Sequence, residues 1–97
     1  WAPDADESIV VAGHLGRISR YQICDLIIPL TANTLNSRGL PGDGYIDFPT
    51  ITRWVSEAGY TGPVEVEIFN ENLWIQPVRQ IVDAISARYV DLVGPYL

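Results

Sequence analysis

The chain has 97 residues, 47% of them hydrophobic, and a formal net charge of −6 from twelve acids and six arginines with no lysine. An acidic surface opposes a phosphate backbone, which argues against nucleic acid as a partner. No run approaches the roughly 18 apolar residues of a membrane span, so no membrane partner is expected, and the N-terminus lacks the basic and apolar pattern of a signal peptide. The single cysteine, Cys24, leaves no internal disulfide framework and is compatible with a cytoplasmic protein. A chain of this size and apolar content makes one small globular unit.

In chain order, Pro3-Asp4 followed by Glu7 has the spacing of a capping box, with Asp4 bonding forward and Glu7 reaching back. A helix is expected from Ala5 to Leu15, with Ile9, Val10, Ala12 and Leu15 toward a core. Gly16 would stop it, and Gly13 weakens it relative to alanine. His14 falls in the last turn, where the helix dipole favours a cation, and reads as a capping or surface histidine because no second ligand lies at metal-binding spacing.

Ile18 to Leu26 reads as a strand. Tyr21 and Ile23 alternate with Gln22 and Cys24, so one face carries the polar or small pair. Asp25 at the strand's end has two roles open to it: contact with a substrate, or capping of the following turn. Thr31 to Gly44 is a long connection rich in Asn, Gly, Ser and Thr, the kind that is functional or mobile in a compact domain. Arg38 is its only cation. A guanidinium there could clamp a phosphate or carboxylate, or be a solvated side chain, or pair with Asp43. The glycines at 39, 42 and 44 make no P-loop, which needs a lysine this chain lacks.

Asp47 is a good N-cap and Pro49 fits a first helical turn, where a missing N–H costs nothing. The helix should begin at Asp47 or Phe48, show Ile51, Trp54, Val55 and Ala58 on its apolar face, and stop at Gly59. After the Thr61-Gly62-Pro63 turn, Val64, Val66 and Ile68 fall on one side of a strand and Glu65, Glu67 and Phe69 on the other. A strand, a helix and a second strand suggest a βαβ unit with parallel strands. Carboxylates on such a strand need a reason. In an open sheet covered on one side only, Glu65 and Glu67 would simply face water; in a closed barrel both would point inward, with Glu67 nearer the catalytic mouth and Glu65 a layer deeper and in need of a partner. The polar run Asn70, Glu71, Asn72 follows at that mouth, with Asn70 a candidate substrate contact and Asn72 also a candidate helix cap. A last amphipathic helix runs from Ile75 or Pro77 to Val90 on Val78, Ile81, Val82, Ile85 and Tyr89. The tail from Asp91 to Leu97 holds Leu92, Val93 and Tyr96 for packing.

The stretches GDGYIDFPTI and EAGYTGPVEVEIF, with WAPDADESIVVAGHLGRISRYQICD upstream, resemble the sugar phosphate isomerase/epimerase family, the xylose isomerase-like TIM barrels. The likeness runs from Trp1 to about Tyr89. It implies an α/β fold in which residues 1–97 are the C-terminal βαβα segment of a (β/α)8 TIM barrel, namely its last two βα units and the helix before them. A complete barrel takes roughly 250 residues, and the chain has no methionine and opens on Trp1 in mid-motif, so a C-terminal fragment or processed product is the expectation.

The resemblance also implies a site. The family's glutamate near the end of the last strand ligates a divalent metal and acts as general base, and Glu67 falls on that position; the alternative is a structural glutamate paired with arginine. Three residues before Asp25 the family commonly carries a metal-ligating histidine, where this chain has Gln22. An amide oxygen is a weaker, harder ligand than imidazole. Any bound Mn2+, Mg2+ or Zn2+ would be weakened or shifted toward Mg2+ or Mn2+. Gln22 could instead bond a substrate hydroxyl or simply fill the interior. The implied substrate is a small sugar or sugar acid, contacted by Asp25, Arg38 and Asn70, and the implied partner is the N-terminal part of the barrel or a second copy of the chain. Two functions stand: part of a sugar isomerase or epimerase working by metal-assisted proton transfer next to a carbonyl, or a non-catalytic association module. A zinc-dependent endonuclease from the same barrel group is disfavoured by the charge and the missing histidine.

Overall fold

The elements are α1 (Ala5–His14), β1 (Tyr21–Ile23), β2 (Asp25–Leu26), β3 (Arg38–Gly39), α2 (Phe48–Glu57), β4 (Val64–Val66), α3 (Glu71–Trp74) and α4 (Val78–Leu92), with 3-10 turns at Thr34–Ser37 and Gly94–Tyr96. They come from a computed structural model that describes residues 3–97; Trp1 and Ala2, which open the family-like stretch, lie outside them. β1 and β4 pair in parallel, with Tyr21 opposite Val64, Gln22 opposite Glu65 and Ile23 opposite Val66. This α/β unit is an open piece of a barrel: its parallel sheet has two strands and does not close.

Packing explains which face is which. Tyr21, Ile23, Phe48, Val55 and Val93 form the buried cluster, with Ile9, Val64, Val66, Tyr89 and Leu92 around it. α2 therefore covers the apolar side of the parallel pair, and Gln22 is left on the other side. Asp47 caps α2 by accepting from the Thr50 N–H at 3.2 Å, and hydrogen bonding by Thr50, first its side chain and then this N–H, holds the Asp47 carboxyl below the usual range. The expected stop is present at Gly59, whose φ of +85° a side chain would resist. The face differs from the expectation in one respect: Thr52 is wholly buried, and its hydroxyl meets the Tyr21 hydroxyl at 2.9 Å. A hydroxyl that finds a partner can occupy a core position that hydropathy assigns to an aliphatic residue. Tyr21→Phe should lower stability by about 1–2 kcal/mol, and adding Thr52→Val should recover part of it, because the loss comes from orphaning one buried hydroxyl. Urea midpoints of the two single variants and the double variant test this.

Other expectations are corrected. The Ile18 to Leu26 strand is three residues of β1, a break at Cys24, and then β2, which pairs antiparallel with β3, Asp25 opposite Gly39 and Leu26 opposite Arg38. Asp4 sits at the N-cap of α1 but its side chain makes no capping bond, so the capping box does not form. Val10 and Leu15 are exposed, not core; α1 packs chiefly on α2, so only a narrow stripe is covered. Gly13 has a stronger reason than tolerance: a Cβ there would overlap the carbonyl oxygen of Ala58, so glycine lets the two helices touch. α4 runs on to Leu92 with Val78 and Val82 exposed, while Val93 just past its end is completely buried. Among the described residues no helix is long and apolar enough to cross a membrane.

Candidate active site at the strand ends

Asp25 is the best-anchored residue here. Its side chain is almost completely buried. Oδ1 accepts from the N–H groups of Leu26 (2.8 Å) and Ile46 (3.0 Å), and Oδ2 from those of Gly42 (2.8 Å) and Gly44 (2.9 Å). Four donors occupy the roughly four lone-pair sites a carboxylate offers. Of the two roles open to Asp25, this geometry serves the turn, which folds back because one buried anion gathers its amides. Gly44 is part of the cradle, since a Cβ there would overlap the Leu26 carbonyl oxygen and stand 2.5 Å from Asp25 Oδ1.

The β2–β3 hairpin carries Arg38 to the end of β4. Its Nη1 donates to Glu67 Oε2 at 2.8 Å and, more weakly, to the Glu67 carbonyl at 3.4 Å, and the guanidinium lies over the Phe69 ring, 4.9 Å from its centroid. Asp43, the other partner considered for Arg38, is taken by Arg88 at 2.6 Å. Glu67 continues the parallel ladder by donating its N–H to the Ile23 carbonyl at 3.2 Å. Its side chain remains 48% exposed and that of Arg38 30%, so their pairing is screened by solvent. Asn70 ties the two sides together. Its Nδ2 donates to the Arg38 carbonyl at 2.8 Å, and its Oδ1 accepts from the Asn72 and Leu73 N–H groups, which makes Asn70, not Asn72, the cap of α3.

One layer down, Gln22 Nε2 donates to Glu65 Oε2 at 3.1 Å, and Arg20 comes within 3.8 Å of the same oxygen. This is the partner that Glu65 required. A carboxylate only accepts, so the amide must face it with nitrogen and turn its oxygen elsewhere. Sequence reasoning thus placed Gln22, Glu65 and Glu67 on one face and left Phe69 unused, although strand alternation already set Phe69 on the Glu67 side. Beside the hairpin lies a cleft of about 640 Å3 bounded by Cys24, Arg38, Tyr45, Ile46, Ile51 and Trp54. Burial pushes the Cys24 thiol up, with Arg38 opposing the shift. Iodoacetamide should therefore alkylate Cys24 at neutral pH more slowly in the folded chain than in urea, since the thiolate is the reacting form; mass spectrometry reads the rate.

Among the described residues no three His, Cys, Asp or Glu side chains gather as a metal ion requires. The two donors expected from the sequence, the Gln22 amide oxygen and the Glu67 carboxylate, are both hard oxygens. They fit part of a Mg2+ or Mn2+ shell and lack the nitrogen or sulfur that zinc prefers.

Comparison with known proteins agrees with this fold. The model of the family described as xylose isomerase-like TIM barrel matches residues 1–88. The crystal structure of protein SMc04130 from Sinorhizobium meliloti 1021 superposes with a TM-score of 0.90 at 36% identity, covering 96% of this chain and 34% of that one. The IOLI protein, solved with a binding zinc atom, gives 0.79 at 27% identity over 95% of this chain and 33% of that one. The chain thus spans about a third of the length of each. No curated protein matches it.

Proposed function

The chain belongs to the xylose isomerase-like TIM barrel family, and from that premise we propose that residues 1–97 are the last two βα units, with the helix before them, of a single-domain sugar isomerase or epimerase. The observation that carries this reading is the position of Glu67 at the C-terminal end of a parallel strand, on the same face as Gln22, with Arg38 beside it. Chemistry in these barrels collects at that end.

Glu67 is the base. Its carboxylate takes a proton from the hydroxyl-bearing carbon next to a substrate carbonyl, the C–H electron pair forms the C=C bond of an enediolate while the carbonyl π pair moves onto oxygen, and the protonated Glu67 returns the proton to the former carbonyl carbon as the hydroxyl proton passes to the former carbonyl oxygen, which gives the isomer. Arg38 holds an anionic group or oxygen of the substrate, and the Gln22 amide oxygen accepts from a hydroxyl or contributes to cation binding. A divalent cation, held by Glu67 and Gln22 with ligands from the rest of the barrel, would polarise the carbonyl. Mg2+ or Mn2+ is preferred on the donor chemistry. Asp25 and Asn70 position Arg38 and the loops around it. A small sugar or sugar acid is the substrate.

The test is exchange. Candidate ketoses and sugar acids are incubated in D2O with Mg2+ or Mn2+ and the complete barrel polypeptide, and proton NMR follows deuterium entering the carbon next to the carbonyl. Exchange supports the reading; none with any substrate of either class overturns it. A second reading, an association module, is favoured by the unpaired outer edges of β1 and β4, which are templates for further strands. A monomeric 97-residue chain in sedimentation, with no complex formed on adding the N-terminal barrel portion, would remove it.

A further inference from the structure

We propose that Arg38 is a seat for a small oxyanion whose occupancy is opposed by Glu67, so that a substrate's own anionic group loosens Glu67 and frees it to act as base. This rests on the reading of Arg38 as the substrate contact and adds a mode of control to it. Arg38 is held at its backbone and at its guanidinium. Its backbone is fixed on one side by the pairing of β2 with β3, where Leu26 stands opposite Arg38, and on the other by the Asn70 bond to its carbonyl. Phe69 supports one face of the fork. Within those limits only Nη1 is engaged, on Glu67. Among the described residues Nε and Nη2 donate to no protein atom, and an arginine fork presents such an edge to a carboxylate or phosphate in bidentate fashion.

An oxyanion on that edge and the Glu67 carboxylate would share one positive charge and repel each other. The magnitude decides whether the sharing is a lock or a bias. A half-exposed pair such as this one is worth up to about 1 kcal/mol, which an incoming bidentate anion can overcome. Coupling between two sites is reciprocal: an oxyanion on Arg38 weakens the Glu67 contact by the same factor by which that contact weakens oxyanion binding.

The experiment titrates the complete barrel polypeptide with inorganic phosphate and, separately, acetate, following the Arg38 Nε–H resonance and the backbone amides of Phe69 and Asn70 by NMR. Glu67→Gln should tighten anion binding about two- to fivefold, the factor that the worth of the pair implies. Arg38→Met should abolish the saturable shift, and Arg38→Lys should keep a weaker one because it retains the charge without the fork. In the Arg38→Met background, Glu67→Gln should change nothing, which separates release of Arg38 from the general effect of removing a negative charge. Tighter binding of phosphate assigns a sugar phosphate, and of acetate a sugar acid. The proposal is overturned if Glu67→Gln leaves the affinity unchanged, or tightens it equally with and without Arg38. No catalysis enters these measurements, so a chain that binds anions in this way yet belongs to a barrel without exchange activity would overturn the enzymatic reading alone.

Discussion

Asp25→Ala is expected to cost the chain about 4 kcal/mol or more, because four backbone donors lose their acceptor at once and each orphaned buried group costs roughly 1–3 kcal/mol. That is a large share of a typical domain's stability of roughly 5–15 kcal/mol. The urea midpoint should fall steeply, and hydrogen exchange should accelerate at Gly42, Gly44 and Ile46 before the amides of α4 respond. Asp25→Asn is the sharper probe. It keeps the shape, but its NH2 group must face either the Leu26 and Ile46 pair or the Gly42 and Gly44 pair, donor against donor. A loss of about 2–4 kcal/mol is expected, with faster exchange confined to one of those two pairs. An alanine variant as stable as the parent would show that the cradle does not hold the loop.

The second large effect belongs to Glu67. In the complete barrel, Glu67→Gln should lower the rate of deuterium exchange into substrate by about 10^2–10^4-fold, the range for loss of a positioned general base. Glutamine keeps the size and can still accept from Arg38, so the fold should stay within about 1 kcal/mol of the parent, the worth of an exposed ion pair. The KM for an anionic substrate should not rise, since Arg38 is released and not lost. A variant retaining full exchange would move the base to another residue. A comparably large loss in Glu65→Gln would indicate that the deeper layer, through Gln22, acts in chemistry as well as in orientation.

By itself the sequence determined the local elements that rest on short-range chemistry. The α2 helix was legible from Asp47, Pro49 and Gly59 because caps and stops act within one turn. The alternation along Val64 to Phe69 was legible too, although β4 itself ends at Val66, and the family likeness assigned Glu67 the place of that family's strand-end glutamate. What only the tertiary structure decided are the partners. Asp25 opens β2, but besides its neighbour Leu26 the amides it gathers are those of Gly42, Gly44 and Ile46, whose return to the strand end no local pattern encodes. Arg38 meets Glu67 across 29 positions and Arg88 meets Asp43 across 45; charge alone permitted the Arg38–Asp43 pairing just as well. Thr52 belongs to the core because Tyr21 supplies it a hydroxyl, and Gly13 is required by Ala58. Periodicity records how a residue relates to its own helix or strand, whereas a buried hydrogen bond, an ion pair or a close backbone approach depends on which distant segment folding brings alongside.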